Sequence, residues 1–162
     1  MSEFTPKLDR IAEDEWETVV RNVPIVSIDL VVRSPDGIVL GKRTNEPAKG
    51  EWFVPGGRVH KHERLVDAAR RVASDELGVK VEVIGELGAY EHLYHEAELD
   101  GDGKHYLANG FVVETDVGID EMELDDQHDG LRAFEPADLP TDLHEYTAAY
   151  LRDSNSIEFP PE

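Results

Sequence analysis

The sequence has no cysteine, which excludes disulfide bonds and thiolate chemistry and leaves the redox environment open. It also lacks any run of about 18 apolar residues, the length that a membrane-spanning helix requires. Its first ten residues, MSEFTPKLDR, do not contain the apolar core of a signal peptide. We therefore expect a cytoplasmic protein with no membrane partner.

Basic residues are also scarce. The chain has 16 Lys and Arg against 36 Asp and Glu, a formal net charge of -20, and only six of the bases are lysine. Because nucleic-acid backbones are bound chiefly by Lys and Arg, this composition argues against a nucleic-acid partner. The acidic residues are dispersed, which favours a halophilic source, where the Debye length falls to about 3 Å at molar salt and self-repulsion is screened. An acidic protein from an ordinary environment is the alternative.

Apolar residues make up 40% of the 162 residues and are spread along the chain, as in one globular domain. We predict a single domain over residues 1–162 whose tail is frayed from about residue 154. Helices are predicted near residues 9–21, 65–77 and 141–154. Strands are predicted in PIVSIDLVVR, IVLGKR, WFVP, VKVEVIGELGAYEHLY, KHYLANGFVVET and LRAFEP, with a bend at Gly56 and Gly57. The expected fold class is α+β, an α/β/α sandwich with a mixed β-sheet between helices.

One face of the second predicted helix is apolar and ends in a carboxylate. Glu76 follows Ala73 by three residues and Val72 by four, so it continues their apolar stripe at its rim. A buried unpaired charge is unfavourable, and Mg²⁺, which binds oxygens at about 2.0–2.1 Å, is one partner that offsets this cost. We favour metal ligation over a salt bridge for Glu76. Asp75 could instead pair with Arg71, four residues before it, and its part in metal binding stays open.

A longer spacing pattern surrounds this helix. Five residues separate Gly57 from Glu63 and seven separate Glu63 from Arg71, after which come Asp75, Glu76, Gly78 and Val79. This spacing resembles the Nudix box, in which a glycine loop, a helix and its C-terminal carboxylates hold magnesium against a nucleoside diphosphate. The resemblance implies a Nudix hydrolase with a Nudix-type sandwich fold and Mg²⁺ as cofactor, with Mn²⁺ as a substitute.

Val72 departs from the box, which usually has glutamate directly after its arginine. The segments GKRTNEPAKGEWFVPGGRV, RVASDELG and DDQHD together resemble the GDP-mannose mannosyl hydrolases, Nudix enzymes that also lack this glutamate. That likeness extends over roughly residues 16–135. It implies hydrolysis at C1 of the sugar with inversion, a reaction in which the metal need only stabilise the diphosphate while a separate base activates water.

The resemblance also implies a set of site residues. Magnesium would be held by the Gly56 carbonyl, Glu76 and Gln127. His128 matches the general base, a role that suits an imidazole because its unperturbed pKa lies near neutrality. Other matches are the diphosphate contacts Arg43, Arg58 and Tyr106, the sugar-side residues Asp29 and His92, and the supporting residues Glu63, Arg71 and Asp75.

Some of these assignments have a plainer alternative. His128 taken alone could be an exposed histidine in an acidic loop, and Asp29 a solvated strand residue. Asp29, however, has apolar neighbours on both sides in SIDLVV, which favours a side chain that points into a polar site. Arg71 could orient the metal carboxylates or pair with Glu63, and we favour the pairing.

Three functions follow in order of preference. The first is Mg²⁺-dependent hydrolysis of a GDP-sugar, GDP-mannose or GDP-glucose, to GDP and free sugar. The second is a conventional Nudix pyrophosphatase that cleaves a P–O bond of a nucleotide sugar or another nucleoside diphosphate derivative. The third is a catalytically silent nucleotide-binding protein. The resemblance further suggests a homodimer.

Overall fold

A computed structural model of the protein describes residues 4–44, 49–94, 103–123 and 128–155, and it describes only the backbone of His128 and Asp129. Three helices and seven strands form this part of the chain. They are α1 (Glu13–Asn22), β1 (Ile25–Ser34), β2 (Gly37–Arg43), β3 (Trp52–Phe53), β4 (Gly56–Arg58), α2 (Leu65–Leu77), β5 (Glu82–Tyr94), β6 (Lys104–Glu114), β7 (His128–Phe134) and α3 (Glu145–Ser154). A 3-10 turn (Ile119–Glu121) precedes β7. No helix among the described residues is long and apolar enough to cross a bilayer.

The strands make one mixed sheet in the order β3-β2-β1-β6-β5, with β4 added to β1 and β7 added to β2. Strands β1 and β6 run parallel, whereas the other pairs are antiparallel. Because side chains alternate along a strand, β1 supplies two separate cores. Ile28, Leu30 and Val32 pack in a core with α2, whereas Val31 packs in a second core with α3. The predicted α/β/α sandwich is therefore confirmed.

Several elements differ from the sequence prediction at their boundaries. Helices α1 and α3 begin at Glu13 and Glu145, each four residues after the predicted start. Gly56 and Gly57 lie in a strand instead of a bend, because they pair with Asp29 and Ile28 of β1. Strand β7 begins at His128, inside the predicted polar loop, because its backbone pairs with Arg43 of β2 across a register shift.

Candidate active site

The last turn of α2 packs closely against β4. Val72 is 1% exposed and belongs to the α2 core. A Cβ atom built at Gly57 would lie 3.2 Å from Val72 Cγ2 and 3.9 Å from Glu76 Oε1. The absence of a side chain at Gly57 thus lets the strand approach the helix, with the Glu76 carboxylate beside it. At the position where the box usually has glutamate, this protein has a packing residue.

Arg71 joins α2 to the chain before it and to β4. Its guanidinium donates to Glu63 Oε2 at 2.7 Å, to Asp75 Oδ2 at 2.9 Å and to the Arg58 carbonyl at 2.7 Å. Burial alone would raise the pKa of Glu63, but hydrogen bonds from Arg71 and from the His60 backbone, with the Arg71 charge, lower it overall. These contacts are what a supporting role for Glu63, Arg71 and Asp75 requires.

On the other face of β1, Asp29 lies in a buried polar cluster with two residues of distant segments. Its Oδ2 accepts a hydrogen bond of 2.7 Å from the Tyr150 hydroxyl of α3 and lies 3.8 Å from His92 Nδ1 of β5. The Tyr150 oxygen is also 3.4 Å from His92 Nε2. The side chains of Asp29 and His92 are 20% and 5% exposed, so the cluster is largely shielded from water.

Burial changes the charge of this cluster. It raises the pKa of Asp29 to about 6, although the hydrogen bond from Tyr150 opposes the rise. Burial, with the nearby His144 as the second cause, lowers the pKa of His92 to about 4. His92 is therefore neutral near pH 7, and its approach to Asp29 is a contact between a carboxyl group and a neutral ring rather than an ion pair.

Tyr150 was not among the residues predicted from the sequence, and neither was Tyr146, which stacks on His92 with ring centroids 3.9 Å apart. The only signal was the spacing of the two tyrosines by four residues on the closing helix, which is equally typical of core packing. Tyr150 is in fact 1% exposed and part of the α3 core. Nothing in that spacing indicates its contact with Asp29, 121 residues earlier.

The arginines predicted to bind diphosphate lie over aromatic rings. The Arg43 guanidinium is 5.4 Å from the ring centroid of Phe53, and the Arg58 guanidinium is 5.8 Å from that of Trp16 in α1. Burial lowers the pKa of Arg58, and the charge of Arg71 lowers it further. Both side chains are therefore held by neighbours from other elements.

Tyr106 lies in the same neighbourhood as Arg43 and Asp29. Burial raises the pKa of its phenol, the Arg43 charge opposes that rise, and the Asp29 charge adds to it. In the sheet, Tyr106 pairs with His92 across β5 and β6. The structure thus brings together Arg43, Tyr106, Asp29 and His92, and the backbone pairing of Arg43 with His128 places β7 at the same end of the sheet.

The residues predicted to hold magnesium lie only partly within the described structure. Glu76 and Gly56 belong to adjoining elements, α2 and β4, whereas Gln127 lies outside the described residues. A carboxylate, a backbone carbonyl and an amide are all oxygen donors, which is the set that Mg²⁺ prefers. Within the described ranges no group of three or more His, Asp or Glu side chains could hold a metal. The predicted ligands include only one carboxylate, that of Glu76, and the other two are a carbonyl and an amide. This set of oxygen donors fits Mg²⁺ and does not require a cluster of three acidic or histidine side chains.

The raised pKa of Asp29 predicts a pH-dependent effect of Asp29→Asn on stability. The pKa of Asp29 in the folded protein, about 6, exceeds the ordinary value of 3.8. Ionisation of Asp29 therefore opposes folding at pH values above the ordinary pKa and has no effect at pH values below it. Relative to the wild type, the variant should therefore gain up to about 3 kcal/mol of unfolding free energy as pH rises from about 4 to about 7. Urea unfolding at constant salt with chelator measures this difference.

Asp153→Asn is a control of opposite sign for that measurement. Asp153 also accepts a hydrogen bond from a tyrosine, Tyr90, at 2.5 Å. Here the hydrogen bond outweighs burial and lowers the pKa of Asp153, because its side chain is more exposed than that of Asp29. The stability of this variant relative to the wild type should fall as pH rises. Equal pH dependence of Asp29→Asn and the wild type would show that Asp29 does not titrate above its ordinary range.

Gly56 is a position where any side chain would collide with the site. A Cβ atom there would lie 2.2 Å from Asp29 Oδ1 and 2.7 Å from the Ile28 carbonyl oxygen. Gly56→Ala should destabilise the fold by about 1–3 kcal/mol, as overpacking typically does, because the β1–β4 pair must separate. Thermal or urea unfolding measures the loss.

Gly130→Ala is the matched control, since a Cβ atom at Gly130 would meet nothing within 4 Å. It should change stability by no more than about 0.5 kcal/mol. Equal stability of the Gly56 and Gly130 variants would contradict the close approach of β4 to Asp29.

Comparison with known proteins places this arrangement in a family. The NUDIX domain model matches residues 23–153. The chain is 53% identical over 144 residues to the low-salt glycan biosynthesis protein Agl8 of Haloferax volcanii, a match that covers 88% of this chain and 89% of the relative. It is 29% identical over 117 residues to the ADP-ribose pyrophosphatase of Methanocaldococcus jannaschii, covering 72% and 65% of the two chains.

A solved structure leads to the same result. The MutT NUDIX hydrolase from Burkholderia pseudomallei superposes with a TM-score of 0.67 at 28% identity, covering 80% of this chain and 97% of its own. The predicted family resemblance is thereby confirmed. The comparisons agree with the packing of β4 against the last turn of α2, and the chain is a member of the NUDIX hydrolase family.

Proposed function

We propose that the protein hydrolyses a GDP-sugar, GDP-mannose or GDP-glucose, at the bond between sugar C1 and the diphosphate oxygen. The products are GDP and the free sugar with inverted configuration, and Mg²⁺ is the cofactor. A sugar substrate is also supported by the name of the relative from Haloferax volcanii, which is a glycan biosynthesis protein. Nudix enzymes act on nucleotide derivatives. Beyond that family property, we propose the identity of the sugar, the identity of the base and the bond that is cleaved.

The observation that carries the proposal is the position of β4 between two different polar groups. On one side Gly57 adjoins Val72 and Glu76, and on the other Gly56 adjoins the Asp29 carboxyl group. Val72 removes one carboxylate from the metal side, whereas Asp29 and His92 form a buried polar cluster on the other side. Such a division suits a substrate whose diphosphate and sugar are bound by separate groups.

Each residue then has one task. Bound Mg²⁺, held by Glu76, the Gly56 carbonyl and Gln127, would neutralise charge on the diphosphate. Guanidinium groups of Arg43 and Arg58 match phosphate oxygens in pairs and stabilise the charge that develops as the C1–O bond breaks. The Tyr106 hydroxyl donates a further hydrogen bond to the diphosphate.

His128 removes a proton from the attacking water. The water oxygen bonds to sugar C1 from the face opposite the leaving group, and GDP departs with the electrons of the broken bond, which inverts C1. The proton on the imidazole then passes to solvent. Asp29 and His92 bind hydroxyl groups of the sugar and hold C1 in line with the water.

The setting of the reaction is part of the proposal. The composition supports a cytoplasmic enzyme adapted to high salt, and the resemblance supports a homodimer that accepts Mn²⁺ in place of Mg²⁺. Sedimentation equilibrium at low and at molar salt tests the dimer. A monomer under both conditions would remove that part without affecting the reaction.

Product analysis tests the reaction itself. The protein is incubated with GDP-mannose and MgCl₂ at low and at molar salt, and nucleotides are separated by ion exchange while free sugar is measured as reducing ends. GDP with an equal amount of mannose is the expected result. GMP with a sugar phosphate would overturn the proposal.

Such a result would instead support a conventional pyrophosphatase, the second candidate. The observation in its favour is the likeness to the ADP-ribose pyrophosphatase of Methanocaldococcus jannaschii. A third outcome, binding of GDP with magnesium but no turnover at any salt concentration, would indicate a nucleotide-binding protein without catalysis.

A further inference from the structure

We propose that Tyr150 is a positioning residue of the sugar site, whose hydroxyl orients the Asp29 carboxyl group and selects the tautomer of His92. The inference rests on the proposed function for its substrate. It adds a residue of α3 to a site otherwise built from sheet strands, and it defines the hydrogen-bonding character that the site offers to a sugar.

The first step is the geometry of one hydroxyl group between two partners. Tyr150 donates its single proton to Asp29 Oδ2 at 2.7 Å. The same oxygen lies 3.4 Å from His92 Nε2, and because its proton is already used, it can only accept there. A hydrogen bond at this contact requires the neutral His92 ring to carry its proton on Nε2, which leaves Nδ1 without a proton.

The second step is what this tautomer presents to a ligand. His92 Nδ1 and Asp29 Oδ2 are 3.8 Å apart. With the proton on Nε2, Nδ1 is a hydrogen-bond acceptor, and an ionised Asp29 offers only acceptors. Two acceptors at this separation match a ligand with two neighbouring hydroxyl donors, such as the adjacent hydroxyl groups of a hexose. Tyr150 thereby makes the pair selective for donors.

The third step is the rigidity of the tyrosine. A Cβ atom built at Gly110 would lie 2.8 Å from Tyr150 Cε1, so the ring lies directly on the backbone of β6. Tyr90 packs against it with centroids 4.4 Å apart. On the same helix, Tyr146 stacks on His92, and its hydroxyl accepts from the Leu93 backbone N–H and donates to the Leu93 carbonyl. The helix is therefore fixed to β5 around the cluster.

A nitrogen NMR measurement on the protein without substrate tests the tautomer directly. Long-range proton–nitrogen correlation spectra at about pH 8, above the ordinary pKa of histidine, should show His92 protonated on Nε2 in the wild type. Tyr150→Phe should shift the ring towards a mixture of tautomers. Tyr90→Phe, which removes a hydroxyl that donates to Asp153 instead, should leave the spectrum of His92 unchanged. A wild-type His92 protonated on Nδ1, or identical spectra in all three proteins, would overturn the inference.

A double-mutant cycle tests the consequence for the reaction. Tyr150→Phe should lower kcat/KM for GDP-mannose by about 10-fold to 100-fold, the loss expected for one hydrogen bond to a charged group. In an Asp29→Asn background the same change should lower it by less than about twofold, because the tyrosine acts through Asp29. Independent, multiplicative effects of the two substitutions would contradict the proposal. Circular dichroism checks folding, and Tyr90→Phe again serves as the control.

The two readouts separate this inference from the proposed function. If the wild type releases GMP instead of GDP, the proposed reaction is wrong, and the NMR result still decides the role of Tyr150. If the wild type releases GDP and mannose while Tyr150→Phe keeps full activity and the wild-type tautomer, the reaction stands and the positioning role is wrong.

Discussion

Replacement of His128 by alanine is expected to lower turnover of GDP-mannose by about 10²-fold to 10⁴-fold, the usual contribution of a placed general base. The substitution leaves the backbone pairing of β7 with Arg43 available, so the free energy of unfolding should change by no more than about 0.5 kcal/mol. Steady-state kinetics with saturating Mg²⁺ and urea unfolding measure the two quantities.

The pH profile makes this prediction specific. In the wild type, activity should fall at acid pH as the base and Asp29, whose pKa is about 6, are protonated, and the residual activity of His128→Ala should keep only the part of that fall that comes from Asp29. Arg132→Ala, a change at an exposed position of the same strand, is the control for general effects on β7. Full turnover in the His128 variant would remove this residue from the mechanism.

The second large effect is expected at the metal. Glu76→Gln should weaken Mg²⁺ affinity by at least about 10-fold to 100-fold, because even the loss of a group that only supports a metal ligand has an effect of that size. The amide keeps the shape of the side chain beside Gly57 but removes its charge. Titration of activity with MgCl₂, and of a bound-metal signal with Mn²⁺, measure the affinity.

Asp75→Asn is the matched control for Glu76→Gln, since the two acids are adjacent. The Asp75 side chain is 60% exposed, and its Oδ2 lies 2.9 Å from Arg71 Nη1. Asp75 therefore lies at the solvent-exposed end of the hydrogen-bond network that Arg71 forms with Glu63. Its replacement should leave Mg²⁺ affinity within about twofold and stability within about 1 kcal/mol. Equal loss of affinity in both variants would make Asp75 a ligand, and unaltered affinity in Glu76→Gln would contradict the metal assignment.

The contacts around the last turns of α2, where we propose the metal, could be predicted from the sequence because they are local. Helical periodicity identified the buried face of α2, and a pattern of short spacings placed Glu63, Arg71 and Glu76 relative to it. The hydrogen bonds of Arg71 to Glu63 and Asp75 join residues eight and four positions apart. Interactions of this range depend on one helix and the turn before it.

Asp29 and His92 were expected on the sugar side from the family resemblance, but the contacts of this proposed sugar site could not be predicted because they are long-range. Tyr150 and Asp29 are 121 residues apart, and their hydrogen bond exists only because α3 packs across β1 and β5. The strand character of Gly56 is similar, since two glycines indicate a bend until β1 offers them hydrogen-bonding partners. Pattern and propensity contain no information on such pairings.

The most direct test of the proposed bond cleavage is hydrolysis of GDP-mannose in water enriched in heavy oxygen, with phosphorus NMR of the released nucleotide. Attack at sugar C1 leaves every phosphate oxygen in place, so the nucleotide should be GDP whose phosphorus signals show no isotope shift. GMP or a sugar phosphate with heavy oxygen on phosphorus would show attack at phosphorus and contradict the account.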